Sequence, residues 1–150
     1  MTLDAIDRRI LKLLQEDARS KVSAIAREIH LSVTATVRRI ERMEDAGVIR
    51  GYRTLIAPEA VELKIHGFIV GGAYRVMLDQ LLRYVRTVPE IVRCETIISG
   101  GKEVILEFYC RDTDALMALY NSSLRSYLDS MVVYLVKSEL ELGTGLPLSD

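Results

Sequence analysis

The chain has 150 residues with 49% hydrophobic and 27% charged composition, which suits one folded domain or two small ones and excludes a disordered chain. Its formal net charge of −1 hides a polarised molecule: residues 1–56 carry 11 Lys/Arg against 8 Asp/Glu (+3), and residues 57–150 carry 9 against 13 (−4). The N-terminus "MTLDAIDRRI" is acidic where a secretory signal needs a basic region, and the longest apolar run, Met131 to Val136, is too short for a bilayer, so a cytoplasmic protein with no membrane partner is expected.

Apolar residues recur at helical spacing over Leu3 to Glu16 (Ile6, Ile10, Leu13, Leu14), with Asp4 placed to cap that helix and Asp7 in its first turn, where the helix dipole favours negative charge. "VSAIAREI" (22–29) predicts a short second helix whose capping residue is near Ser20, and His30-Leu31 the turn after it. Ser32 then caps a third helix running to about Asp45, which Gly47 ends as a left-handed C-terminal residue. At about 100° per residue, Val33, Val37 and Ile40 form one stripe with Met43 at its edge, while Ala35, Arg38, Arg39 and Arg42 fall on the opposite side. Thr34 flanks the basic side and Thr36 lies nearer the apolar one. "VIRGYRTLIA" (48–57) reads as a strand, so three helices lead into a wing.

Residues 57–64, with Pro58, lack strong periodicity and read as a linker or hinge helix. "HGFIVGGAYR" (66–75) is a predicted strand, 77–87 a helix, and "IVRCETIIS" (91–99) and "EVILEFYCR" (103–111) are strands joined through Gly100, Gly101 and Lys102. A helix from Asp112 to about Tyr127 and a strand "MVVYLVKSELEL" (131–142) close the pattern. Strand, helix, strand, strand, helix, strand is the split βαβ, ferredoxin-like order, an antiparallel sheet with two helices on one side. The expected class is therefore α+β, with a helix-turn-helix, winged-helix-like domain over 1–56 and a ferredoxin-like βαββαβ domain over 65–150 that ends in an extended arm. In 104–110 and 131–136 both alternating sets are largely apolar, so the face without helices needs a partner, and self-association through the sheets as a two-fold dimer is expected. A turn at Gly100-Gly101 or Gly101-Lys102 sets Cys94 opposite Glu107 or Tyr109 and not opposite Cys110, so both cysteines are expected as buried reduced thiols.

A short helix, a turn, and a second helix that begins on a small hydroxyl residue and exposes arginines is the layout of a helix-turn-helix reader of double-stranded DNA. Arg38 and Arg39 are placed for guanine edges or phosphates, Thr34 for a base edge or thymine methyl, Ser32 or Lys21 for a phosphate, and Arg53 for the backbone. Thr36 and Arg42 complete the candidate set. The competing reading is a solvated helix in which Arg38, Arg39 and Arg42 pair with Glu41 and Asp45. The preceding helix, the turn and the strand after Gly47 favour DNA. No activated nucleophile, phosphate loop or metal-ligand cluster is evident, with His30 and His66 the only histidines, and Glu95, Glu103 and Glu107 show no catalytic arrangement; neither an enzyme nor a metal site nor a cofactor is expected.

"LDAIDRRILKLLQEDAR" followed by "AIAREIHLSVTATVRRIERMEDAGVIRGY" resembles the DNA-binding half of the Lrp/AsnC (leucine-responsive, asparagine-operon, feast/famine) regulators, and the resemblance continues through the βαββαβ pattern to "TGLPL". It implies a DNA-binding helix-turn-helix domain, dimers joined through the effector-domain sheets, assembly to tetramers or octamers, and transcriptional control by an amino-acid effector. Family members commonly carry Gly at the position of His30 and Pro at that of Val33; His can still adopt a left-handed backbone at modest cost. Where the family reads Thr-Gly-x-x-Asp between the central strands, "SGGKE" supplies Ser99, Gly100, Gly101 and Glu103. Glycine N–H groups suit a carboxylate and an acid suits an ammonium, the two charges of an amino acid; on the residues alone, the glycines equally make a plain hairpin turn with Glu103 at its rim. The rival function is an effector-independent architectural DNA-binding protein.

Overall fold

The computed structural model describes residues 1–74, 76–98, 102–138 and 146–148, with backbone only at Ile98 and Lys102. They divide into a helical unit, Met1–Leu55 together with 146–148, and a sheet unit, Ile56–Glu139. Residues 146–148 thus group with the helices, where the sequence assigned them to the second domain.

In the helical unit, α1 (Ala5–Glu16) opens on a reciprocal capping box: the Asp7 N–H donates to the Asp4 carboxylate at 2.8 Å and the Asp4 N–H to the Asp7 carboxylate at 3.2 Å. Helix α2 (Val22–Glu28) follows Lys21, which makes no side-chain cap, while Ser20, the expected cap, donates its hydroxyl to Asp17. Helix α3 (Val33–Asp45) is capped by Ser32, whose hydroxyl accepts from the Ala35 N–H at 3.1 Å.

Both α2 and α3 end in the same double bond pattern. After α2, the Leu31 N–H donates to Ala26 C=O at 2.9 Å and the His30 N–H to Arg27 C=O at 3.3 Å, with His30 at φ 56°. After α3, the Val48 N–H donates to Met43 C=O and the Gly47 N–H to Glu44 C=O, both at 2.9 Å, with Gly47 at φ 68°. These are Schellman ends, one built on His and one on Gly.

Ile10, Ile25, Ile40 and Met43 form the buried centre of the helical unit, flanked by Leu14, Val22, Ile29 and Val48. Gln15 on α1 also grips the C-terminal segment, accepting the Leu146 N–H at 2.5 Å and donating to its carbonyl at 3.4 Å.

The strand expected over 48–57 does not form; no ladder pairs these residues, and β propensity without a neighbouring strand leaves backbone groups to water. Tyr52, itself exposed, turns back to donate to Glu44 at 2.8 Å, and partial desolvation of its hydroxyl, then that carboxylate, push its pKa up to about 12. Leu55 and Ile56 stay exposed. Pro58–Val61, in the segment expected as a linker or hinge helix, forms one 3₁₀ turn.

The sheet unit contains β1 (Ile65–Gly72), α4 (Leu78–Val85), β2 (Ile91–Ile98), β3 (Lys102–Cys110), α5 (Thr113–Tyr120), α6 (Leu124–Tyr127) and β4 (Val132–Leu135). All pairings are antiparallel, in the order β2-β3-β1-β4. The helix expected over 112–127 breaks at Asn121, Ser122 and Ser123, where the Ser122 hydroxyl accepts from the Leu124 N–H and offers the backbone an alternative to the helix ladder. The last strand is shorter than expected.

Ile69, Val104, Leu106 and Phe108 meet Leu81, Val85, Leu119 and Leu124 under the helices. On the other face, His66, Phe68, Val70, Ile105, Glu107 and Tyr109 are half-buried, and Val132 and Tyr134 are exposed. There the His66 ring lies 3.1 Å from the Glu107 carboxylate and stacks on Tyr109 at 4.2 Å.

Cys94 pairs with Leu106, a register that differs from both expected ones, and Cys110 pairs with Ile65; both thiols are free. Burial, then Glu90 and Asp112, push the Cys110 pKa up to about 11, so this thiol is a poor nucleophile.

Candidate nucleic-acid interface

The turn at His30 hands the chain from α2 to α3, and the Ser32 cap fixes where α3 begins. Thr34 and Arg38 stand exposed on α3, and Arg38 makes no ion pair among the described residues. Lys21 and Arg53 are exposed as well, though Arg53 lies on an irregular segment and not on the expected strand.

Three expectations on α3 are corrected. Thr36 is fully buried and its hydroxyl donates to Ser32 C=O at 3.0 Å, so it shapes the start of the helix and presents nothing to a ligand. Val33 is 48% exposed, because the first helical residue projects beyond the packed stripe, which begins at Val37.

The third correction concerns the arginines. Arg39 and Arg42 were expected to face outward with Arg38, or to pair with Glu41 and Asp45. Instead both reach α1: Arg39 Nη1 donates to Asp4 and to Asp7, each at 2.7 Å, and Arg42 Nη2 donates to Asp7 at 2.8 Å. The Asp7 side chain is 1% exposed, Arg39 24% and Arg42 53%.

Charge follows this geometry. The Asp7 N–H, then Arg39, hold the Asp4 carboxyl below its ordinary range, and hydrogen bonds to Asp4 and then Asp7 raise the Arg39 pKa. Sequence reasoning assigned Asp4 and Asp7 only to the helix start. Their second role was hidden because the partners lie 32 and 35 positions away.

Of the expected effector residues, Ser99, Gly100 and Gly101 lie outside the described residues. Glu103 is half-buried in β3, with Gly72 and Ile97 opposite it on the two neighbouring strands.

A capped, partly basic α3 behind a two-helix frame places the helical unit in the helix-turn-helix class of DNA-binding domains. Residues 3–44 match the AsnC-type helix-turn-helix domain. The chain is 35% identical over 117 residues to the HTH-type transcriptional regulator AldR of Mycolicibacterium smegmatis, covering 76% of this chain and 68% of that protein. It is 37% identical over 114 residues to the proline dehydrogenase transcriptional activator of Rhodobacter capsulatus, covering 73% of each. Among solved structures, a Neisseria meningitidis transcriptional regulator in complex with L-Met superposes with TM-score 0.88 at 29% identity, covering 98% of this chain and 97% of that one.

The chain belongs to the Lrp/AsnC family of transcriptional regulators. Its relatives are named as regulators and not as enzymes. Among the described residues no helix is long and apolar enough to cross a membrane.

Proposed function

We propose that this regulator reads a specific duplex sequence through α3 and responds to an amino acid held by its sheet unit. The observation that carries the reading is Arg38: an exposed guanidinium without an ion pair among the described residues, on a helix whose start is fixed by Ser32. Thr34 and Arg42 join it for base edges, Ser32 and Lys21 for phosphates, and Arg53 for the DNA backbone. Arg39, engaged with two carboxylates, leaves the contact set.

The helix-free sheet face, with Phe68, Val70, Ile105, Val132 and Tyr134, takes a second copy of the chain, which would present two reading helices to a roughly palindromic site and allow tetramers or octamers. Residues 99–103 supply the effector site, with Glu103 for the ammonium group; the L-Met complex of the Neisseria relative supports an amino acid as the class of ligand. The protein acts in the cytoplasm. Ligand would act by favouring one assembly over another, which requires unequal affinity for the two.

The test is selection of duplexes from a random library by the wild-type protein, with a thermal-shift screen of the proteinogenic amino acids and mass measured by light scattering. A specific reader prefers its selected site to scrambled DNA by about a thousandfold or more at matched salt. No preference would mean an architectural binder, and no shift with any amino acid would remove the effector. Glu103→Ala is expected to abolish the ligand shift without changing DNA binding in the absence of ligand, and Tyr134→Asp to reduce the oligomer mass.

A further inference from the structure

The carboxylate of Asp7 is buried and accepts from three donors: Arg39 Nη1 at 2.7 Å, Arg42 Nη2 at 2.8 Å and the Asp4 N–H at 3.2 Å. The two arginines are not equivalent. Arg39 has a second carboxylate, Asp4 at 2.7 Å, and is 24% exposed. Arg42 has Asp7 as its only ion-pair partner among the described residues and is 53% exposed. We propose that Asp7 is a positioning residue for DNA recognition, holding one nitrogen of the Arg42 guanidinium so that its remaining donors are presented to DNA in a fixed orientation. The inference rests on α3 being the reading helix.

The physical argument turns on the shape of the guanidinium. It carries five N–H donors in a rigid plane, so anchoring one nitrogen orients all of them, which a lysine ammonium would not allow. A side chain already held in place loses less freedom when it binds.

The anchor comes from α1, so the frame helix sets the aim of a residue on α3 by a directional contact as well as by apolar packing. Asp7 also sets a negative charge beside the arginine, which weakens sequence-independent attraction to phosphate while keeping the geometry that selects a site.

These two effects have opposite signs on the two kinds of DNA, and that separates positioning from mere stability. The full-length protein is assayed on the duplex it enriches from a random library and on a scrambled duplex of equal composition, at matched salt. In Asp7→Asn the preference for the selected duplex is expected to fall about tenfold, while affinity for the scrambled duplex is unchanged or higher. Equal loss on both duplexes, or an unchanged preference, overturns the proposal.

Arg42→Gln is expected to lose a similar share of preference, and the double variant Asp7→Asn/Arg42→Gln no more than Arg42→Gln alone, because Asp7 acts through Arg42. A further fall in the double variant overturns it. If Asp7→Asn lacks a cooperative melt, Arg42→Lys decides instead, because it keeps the charge beside Asp7 and loses the planar donor set: a preference equal to wild type in Arg42→Lys, or in Arg42→Gln, overturns the proposal. Failure of the wild-type protein to enrich any duplex would remove the specific-reader function, and this inference with it, before any variant is made.

Discussion

The sheet unit closes around a set of buried apolar residues running from Ile69 to Leu128, whereas the apolar cluster at the centre of the helical unit is the smaller set Ile10, Ile25, Ile40 and Met43, with Asp7 set between two arginines beside it. An apolar core is non-directional and tolerates small rotations of what packs on it. A charge-assisted hydrogen bond fixes distance and angle. The unit that has to present side chains to DNA is thus the one whose helices are tied by directional contacts, and the unit that has to hold a sheet together relies on burial.

The sharpest way to break that contrast is to damage each tie in turn. Phe108 is fully buried beneath the helices, so Phe108→Ala is expected to lose about 3–5 kcal/mol in urea unfolding. Asp7→Ala leaves two arginines without their shared acceptor, but both keep access to water, so the expected loss is smaller, about 1–3 kcal/mol. If the order of these two losses were reversed, polar contacts and not burial would dominate the molecule, and the comparison would fail.

What the sequence made legible follows the same division. The Asp4 and Ser32 caps, the Gly47 stop and the strand-helix order depend on neighbours within a few positions, and all are present in the structure. The Asp7–Arg39 and Asp7–Arg42 pairs join residues 32 and 35 positions apart, and no local pattern announces them. Residues 48–57 have strand propensity, but a strand exists only where another strand pairs with it, and here none does. At the α5–α6 break the Ser122 hydroxyl competes with the helix for a backbone N–H, a contest periodicity does not score. The reading of Arg38, Arg39 and Arg42 as one face treated the helix as isolated, and the carboxylates of α1 divide that face into an exposed arginine, an engaged one and a shared one.

A finer contrast lies within the helical unit, between its two Schellman ends. Gly47 at φ 68° pays no steric penalty, and His30 at φ 56° carries a Cβ in the same left-handed region. A Cβ added at Gly47 meets nothing within 4 Å, so backbone conformation and not space sets its tolerance. Gly47→Ala is expected to destabilise by about 1 kcal/mol and His30→Gly to stabilise by up to about 1 kcal/mol, read from unfolding midpoints. Stabilisation by Gly47→Ala would show that the left-handed strain is not felt.

The smallest expected effect separates charge from shape at the start of α1. Asp4 is held below the 3.8 ordinary for such a carboxyl, first by the Asp7 N–H and then by Arg39, so folding favours its ionised form. A depressed folded pKa contributes stability that is complete above 3.8 and is lost as pH falls from there through the lower folded value. Asn still caps a helix but brings no charge to Arg39, so Asp4→Asn is expected to be slightly less stable than wild type at neutral pH and to converge with it as pH drops below 3.8. Unfolding midpoints of the two proteins, measured at a series of pH values, give the difference. A difference that held constant across that window would mean that the ionised form of Asp4 adds nothing over a neutral cap, leaving Arg39 tied to α1 by the buried carboxylate of Asp7 and not by the exposed one.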